Sequence, residues 1–160
     1  MDHTTQDILA ITEVIQQIAR AYDLKRHREL LPQVMEPDAR QKYYILGQFV
    51  DMSMPEGMET LLTYHDVCYA CQHLVAPPAV ELNGDLAKTT SPVHAVHVQI
   101  RDDGSRNNWI LGAYYHDTIV RRGSTWRLQE RTCMVTYESG EFLTSGVRRY
   151  PTLPDYTQNP

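Results

Sequence analysis

The sequence has no long apolar segment. No window of its 160 residues approaches the run of roughly 20 apolar residues that a membrane-spanning helix needs. The first residues, Met1 to Asp7, also lack the basic start and the apolar core of a signal peptide. These absences predict a soluble chain that makes no contact with a membrane, and we expect it to be cytoplasmic.

Cysteine and metal-binding motifs are also scarce. The three cysteines are an odd number, which fits reduced thiols better than a disulfide framework. Cys68 and Cys71 form a CxxC pair, but no second pair completes a zinc site, so we expect two small thiols that are buried or line a pocket. The seven histidines include neither an HExxH motif nor an HxH motif with carboxylate support. The sequence therefore predicts no metal site.

The chain has no excess of positive charge. Its 15 Lys and Arg residues against 20 Asp and Glu residues give a net charge of −5, and the only adjacent arginines are Arg121-Arg122 and Arg148-Arg149. A nucleic-acid partner is therefore not expected, because such partners require a clustered basic surface. GxSxG, Walker and GxGxxG motifs are absent as well, and no organic cofactor is predicted.

The composition is that of a globular domain. The apolar fraction is 42% and the charged fraction 22%, and a chain of this length hides roughly 70% of its unfolded surface when it folds. There is no linker, internal repeat or low-complexity segment. We therefore expect one domain with a substantial core.

Helices dominate the first part of the chain. An apolar stripe with helical spacing follows a cap at Thr5 and leads to Asp23 at the end of its face. The stripe consists of Ile8, Ile11, Ile15, Ile18 and Tyr22. A second helix is predicted over His27–Val34 and a third over roughly Gly57–Tyr69.

Strands dominate the remainder. Two short strands are predicted at Ala39–Leu46 and Gln48–Met52, on either side of Gly47. Longer segments separated by hairpin-type turns follow at Cys71–Leu82, Leu86–Arg101, Asn108–Arg122 and Thr125–Glu138. Helices packed on one face of such an antiparallel meander give an α+β fold.

Alternation along the strands identifies polar groups among apolar neighbours. On the last strand Arg131, Cys133, Val135 and Tyr137 share one face, and Trp126, Leu128 and Glu130 share the other. By the same rule His73 aligns with Cys71 and Val75, Tyr115 aligns with Trp109, and His94 and His97 lie on opposite faces. Each polar group also has a structural interpretation: His73 as a satisfied core histidine, and Arg131 as a partner of Glu130 or of a helix carboxylate.

An ordered set of short segments resembles a known family. The segments are Ile15–Asp23 (IQQIARAYD), Cys71–Leu74 (CQHL), Asn83–Ala87 (NGDLA), Gly112–Asp117 (GAYYHD), Trp126–Arg131 (WRLQER) and Gly140. Together, over about residues 5–141, they resemble the SnoaL-like branch of the nuclear transport factor two-like superfamily. The superfamily includes scytalone dehydratase, bile-acid dehydratases and hexachlorocyclohexane dehydrochlorinase, and the sequence is most similar to this group.

The resemblance implies a fold and a domain layout. A curved antiparallel sheet and about three helices form a cone around an apolar pocket. We expect residues 1–141 to form this domain and residues 142–160 to form a C-terminal tail. The tail is expected to be loosely ordered. The alternatives are that it caps the pocket or crosses a partner subunit.

The resemblance also implies site residues. Asp23 and His73 match the catalytic aspartate and histidine of the dehydratases, and Arg131, followed by Cys133, matches an arginine on the last strand of the dehydrochlorinase. A neutral imidazole held by a carboxylate can act as a general base, and an arginine can hold a leaving group or an oxyanion. Further residues are expected to line the substrate pocket: Tyr22, Tyr43, Cys71, Tyr115, Cys133 and His97.

These residues favour a cofactor-independent lyase. We expect a dehydratase-like β-elimination on a small apolar substrate, cyclic or steroid-like, with His73 as the base and Asp23 as its partner. One alternative is an isomerase like ketosteroid isomerase, or a polyketide cyclase. Another is a non-catalytic subunit that binds a ligand or forms oligomers. A homodimer or homotrimer is expected in either case.

Overall fold

The computed structural model describes residues 3–45, 47–54 and 56–158. These residues form three helices: α1 (His3–Asp23), α2 (His27–Val34) and α3 (Glu56–Asp66). The predicted bounds of α2 are confirmed, whereas α3 ends three residues earlier than predicted. The predicted strand end at Leu46 lies outside the described residues.

Helix α1 forms because its apolar residues recur on one side. Ile11, Ile15, Ile18 and Tyr22 are buried, as the stripe predicted, while Ile8 at its start is partly exposed. The helix ends where Lys25 adopts a left-handed conformation with φ of 55°. This turn sends the chain directly into α2 and leaves Asp23 at the carboxyl end of α1, facing the sheet.

Seven strands form one curved, unclosed sheet, which confirms the α+β cone. The strands are β1 (Met35–Ile45), β2 (Gln48–Ser53), β3 (Ala70–Val75), β4 (Ala79–Asn83), β5 (Leu86–Ile100), β6 (Arg106–Arg122) and β7 (Thr125–Ser139). Their order is β2-β1-β7-β6-β5-β3, and β4 also pairs with β5. The sheet is mixed rather than wholly antiparallel, because β1 and β7 pair in parallel.

The single strand predicted over Cys71–Leu82 is wrong. Pro77 and Pro78 lie in its middle, and proline cannot donate a backbone hydrogen bond to a sheet. The chain therefore leaves the sheet after Val75 and returns at Ala79, so that β3 and β4 pair separately with different parts of β5.

The predicted faces of the last strand are also partly wrong. Consecutive residues of β6 pair with Leu128 and Glu130, which leaves Gln129 as an extra residue in β7. Such a bulge reverses the alternation of the side chains beyond it. Arg131 and Cys133 therefore face the same interior as Leu128, instead of the opposite face.

The segment after β7 packs against the domain. The side chain of Phe142 is buried, and the backbone of Leu143 exchanges hydrogen bonds with the side chain of Gln99. Farther along, Val147 forms a bridge with Arg101, and the ring of Tyr150 contacts Tyr69. The interior of the cone contains a cavity, which is bordered by the sheet, by α1 and α3, and by the beginning of this segment.

None of the described helices is both long enough and apolar enough to cross a membrane.

Candidate active site

A cavity of about 110 Å³ lies inside the cone. This volume is well above the roughly 10–15 Å³ that one water molecule requires. Its described lining is mainly apolar and aromatic, with three histidines among these side chains. The lining residues are Tyr22, Tyr43, Ile45, Val50, Met52, Leu61, Tyr64, His65, His73, His97, Trp109, Leu111, Tyr115, Cys133 and Phe142.

Asp23 and His73 meet at this cavity. One carboxylate oxygen of Asp23, Oδ1, lies 2.7 Å from Nδ1 of His73, and the other, Oδ2, accepts a hydrogen bond of 3.0 Å from the backbone N–H of His73. These two hydrogen bonds connect the end of α1 to β3 and fix the orientation of the His73 imidazole. When Nδ1–H donates to the carboxylate, Nε2 keeps its lone pair and is the nitrogen available for chemistry. The side chain of Asp23 is 24% exposed and that of His73 is 6% exposed.

Two further histidines line the cavity, and a third supports one of them. His65 of α3 and His97 of β5 are buried, and Nδ1 of His65 lies 2.8 Å from Nε2 of His27 at the start of α2. Burial lowers the pKa of His27 to about 4 and that of His97 to about 3, and it lowers the pKa of His65 well below its usual value. All three imidazoles are therefore neutral near pH 7. Nδ1 of His97 is buried without a hydrogen-bond partner among the described residues.

Two tyrosines share one buried acceptor. The hydroxyl groups of Tyr22 and Tyr43 donate to Oε1 of Gln41, at 3.0 Å and 2.6 Å. Burial raises the pKa of both phenols, so they remain protonated and can act as hydrogen-bond donors. Gln41 is completely buried and holds the two hydroxyl groups next to each other beside the cavity.

Arg131 lies behind the cavity wall. Its guanidinium makes two hydrogen bonds to Asp117, of 2.8 Å and 2.7 Å, and both side chains are buried. The guanidinium carbon Cζ also lies 4.0 Å from the ring centre of Tyr115, which does line the cavity. Arg131 itself is not among the lining residues, and Tyr115 is the lining residue that its guanidinium contacts. Its partner is Asp117, rather than Glu130 or a helix carboxylate.

The two cysteines of the predicted pocket lie in different places. Cys133 lines the cavity, where burial raises the pKa of its thiol to about 12. Cys71 lies on β3 outside the lining, and a hydrogen bond with Cys68 together with burial raises the pKa of its thiol. Both thiols are therefore protonated and unreactive near pH 7.

The structure thus brings most of the predicted site residues together at one cavity. Asp23 and His73 are hydrogen-bonded, and the lining includes further predicted pocket residues: Tyr22, Tyr43, Tyr115, Cys133 and His97. His27, His65 and Gln41 were not predicted. They come from α2, α3 and β1, and no local motif connects them, although the position of His65 on the apolar side of its helix was a usable signal.

The chain belongs to the SnoaL-like domain family, which matches residues 3–132. No curated protein sequence matches the chain.

Several solved structures share this fold. The protein Kfla4162 from Kribbella flavida has a TM-score of 0.75 at 22% identity, covering 85% of this chain and 95% of that one. A scytalone dehydratase-like protein from Novosphingobium aromaticivorans has a TM-score of 0.74 at 18% identity, with coverages of 91% and 93%. The type 3 hexachlorocyclohexane dehydrochlorinase from Novosphingobium barchaimii has a TM-score of 0.68 at 14% identity, with coverages of 91% and 94%. At these identities the similarity establishes the fold.

Proposed function

We propose that this chain is a cofactor-independent lyase that eliminates water from a small, apolar, cyclic substrate. The observation that carries the proposal is the 2.7 Å contact between Asp23 and His73 at the wall of an apolar cavity. The names of structural relatives, a scytalone dehydratase-like protein and a dehydrochlorinase, agree with an elimination reaction.

His73 is the general base of the proposed reaction. Its Nε2 removes a proton from a carbon next to a carbonyl group of the substrate. The electron pair of that C–H bond forms a C=C bond and expels the neighbouring hydroxyl group. The leaving group takes the abstracted proton from Nε2 of the His73 imidazolium and departs as water, which returns His73 to its neutral form. Asp23 accepts the hydrogen bond from Nδ1 and stabilises the imidazolium as it forms.

The remaining polar groups hold the substrate. The hydroxyl groups of Tyr22 and Tyr43 stay protonated. When substrate binds, each would redirect its single O–H from Gln41 to the carbonyl oxygen, where negative charge develops. His97 also lines the cavity, with its ring perpendicular to that of His73 at 5.3 Å between ring centres, and we assign it to holding the leaving hydroxyl group. Arg131 fixes the position of Tyr115 and does not itself touch the substrate in this proposal.

The first test is a screen of cyclic β-hydroxy ketones, with the products followed by mass spectrometry. The expected product is an unsaturated ketone that has lost one water molecule. Replacing the base in His73→Gln should lower kcat/KM about 10²–10⁴-fold. His94→Gln is the matched control, because His94 lies on β5 on the opposite face from His97.

Asp23→Asn tests the partner of the base. It should lower kcat by up to about 10⁴-fold, because the amide no longer selects the reactive tautomer. Asp66→Asn is the control, since Asp66 also ends a helix and its side chain is 21% exposed, against 24% for Asp23.

Other outcomes would contradict the elimination. A product of unchanged mass would indicate an isomerase or a cyclase acting in the same cavity. Ligand binding without turnover, unaffected by His73→Gln, would indicate a non-catalytic binding subunit.

A further inference from the structure

Three imidazoles from three different elements converge in the cavity. His65 of α3, His73 of β3 and His97 of β5 each place one ring nitrogen within 4.8 Å of the other two. Their ring centres are 6.2 Å apart for His65 and His73, 6.3 Å for His65 and His97, and 5.3 Å for His73 and His97. A general base requires one imidazole, so it does not explain the convergence of three.

We propose that His65, His73 and His97 bind a divalent first-row transition metal ion, with Zn²⁺ as the best-fitting ion. Three histidines bound to zinc would leave one position of its tetrahedron open for a water or a substrate. All three side chains line the cavity. Nitrogen donors without a carboxylate favour Zn²⁺, Co²⁺ or Ni²⁺ over Mg²⁺ and Ca²⁺, which prefer oxygen ligands.

The distances between the three imidazoles are close to those in a zinc site with three histidine ligands. With Zn–N bonds of about 2.0–2.1 Å, three tetrahedral imidazoles place their nitrogens about 3.3 Å apart and their ring centres about 5 Å apart. The ring centres of His73 and His97 already have nearly this separation. The nitrogens must approach by at most about 1.5 Å, given their present limit of 4.8 Å.

Neighbouring groups orient two of the three ligands. Asp23 accepts the Nδ1–H of His73, which directs the lone pair of Nε2 away from the carboxylate. Nδ1 of His65 contacts Nε2 of His27 at 2.8 Å. In the tautomer in which His65 donates to His27, Nε2 of His65 keeps its lone pair for a metal ion. Metal-binding histidines usually have such partners, which fix the tautomer and the ring orientation.

His97 supplies an independent observation. It is 5% exposed, and its Nδ1 is buried with no hydrogen-bond partner in the described part of the chain. An unpartnered buried ring nitrogen is a donor that a metal ion can use.

The test measures metal binding to the purified full-length chain and needs no substrate. After treatment with a chelator, the chain is titrated with Zn²⁺ by calorimetry and with Co²⁺ by visible spectroscopy, with Mg²⁺ as the comparison ion. We expect saturable binding of one Zn²⁺ or Co²⁺ per chain, a tetrahedral Co²⁺ spectrum without a thiolate band, and no binding of Mg²⁺.

Variants identify the ligands. His65→Gln and His97→Gln should each weaken Zn²⁺ binding by more than the roughly 10–100-fold that loss of a supporting residue costs, and Asp23→Asn should fall within that range. His94→Gln should bind as the original chain does. Crystals of the unaltered chain soaked in Zn²⁺ give a second measurement that does not depend on the folding of any variant, and the anomalous signal should lie between the three rings.

The proposal is overturned if no saturable binding occurs, if the anomalous signal lies elsewhere, or if His65→Gln retains full affinity. These results are separate from the proposed elimination, which is measured by product formation. Both proposals use Nε2 of His73. A bound metal ion and an abstracted proton compete for its single lone pair. Added Zn²⁺ should therefore inhibit the elimination, and a chelator should restore it.

Discussion

The side chains of Arg131 and Asp117 form a buried pair of opposite charges on the interior face of the sheet. Both side chains are essentially unexposed, and the pair is held by two hydrogen bonds. Removing one partner leaves the other charge buried and unpaired, which typically costs about 3–5 kcal/mol. We therefore expect Arg131→Met to reduce the free energy of unfolding by about that amount, measured by urea denaturation.

The double variant distinguishes a charge effect from a packing effect. Arg131→Met combined with Asp117→Leu removes both charges and should recover most of the lost stability. If the double variant is as unstable as the sum of the two single variants, the pair contributes through its shape rather than its charge.

The buried histidines make stability depend on pH. A histidine in the unfolded chain has a pKa of about 6.5, whereas burial lowers it to about 4 for His27 and to about 3 for His97 in the fold. Below pH 6.5 the unfolded chain therefore binds more protons than the folded chain. The free energy of unfolding has its full value above that pH and falls as the pH decreases towards 4 and 3. Each such group contributes a slope of at most about 1.4 kcal/mol per pH unit.

Urea denaturation between pH 7.5 and pH 4.5 measures this slope. His97→Asn should reduce it, because that variant removes one of the buried imidazoles. His116→Asn should leave it unchanged, since His116 is exposed on β6. An equal slope in the original chain and in His97→Asn would exclude the buried histidine as its cause.

Individual site residues differed in how far the sequence could identify them. Asp23 and His73 were predicted because short segments around them resemble a known family, although they lie 50 residues apart. His27 and His65 could not be paired from the sequence, because 38 residues separate them and only the packing of α2 beside α3 brings them into contact. The partner of Arg131 was missed for the same reason, since it lies on the neighbouring strand.

Among the elements, β7 shows where a local pattern is insufficient. Strand alternation is reliable only while the register is continuous, and the extra residue Gln129 reverses it. The parallel pairing of β1 with β7 was also not predictable, because it joins residues about 90 positions apart that carry no turn signal. By contrast, the helical stripe of α1 and the hairpin turns before β5 and β7 depend on neighbouring residues, and the structure contains both.

The turn after β7 sets the position of Phe142. Gly140 has φ of 81°, and a Cβ atom added to it would lie 2.1 Å from the backbone oxygen of Asn108. Gly140→Ala should therefore displace the following segment, including Phe142, whose ring centre is 5.1 Å from that of Trp109. We expect a lower melting temperature, a change in tryptophan fluorescence and faster proteolysis after residue 140.

Gly123→Ala is the matched control for this turn. Gly123 also has a positive φ, of 61°, but a Cβ atom there would meet no atom within 4 Å. Its cost should be limited to the backbone strain of about 1–2 kcal/mol. Equal effects of the two substitutions would show that the clash with Asn108 does not control the segment.

Considered as a whole, the molecule has an apolar outer surface on its sheet. Phe49, Tyr44, Met134 and Tyr114 are neighbours in register across β2, β1, β7 and β6, and all four are exposed. Contiguous apolar patches on a soluble domain commonly mark an interface. We expect a second copy of the chain to cover this row in a homodimer or homotrimer.

Light scattering after size-exclusion chromatography tests the assembly. The original chain should have at least twice the 18.5 kDa mass of one protomer. Met134→Glu should produce the monomer, because it places a charge in the middle of the row. Leu9→Glu, at an exposed apolar position on α1, should not change the mass. A monomeric original chain would contradict the expected assembly.

The parallel pairing of β1 with β7 has a consequence for how the chain folds. Tyr43 on β1 lies opposite Cys133 on β7, so two walls of the cavity come from segments synthesised far apart. Closing a loop of that length before any contact forms is slow, and proteins dominated by such distant pairings fold in milliseconds to seconds. On the ribosome, the cavity can be completed only after β7 has emerged, and until then β1 has an unpaired edge that a chaperone could protect.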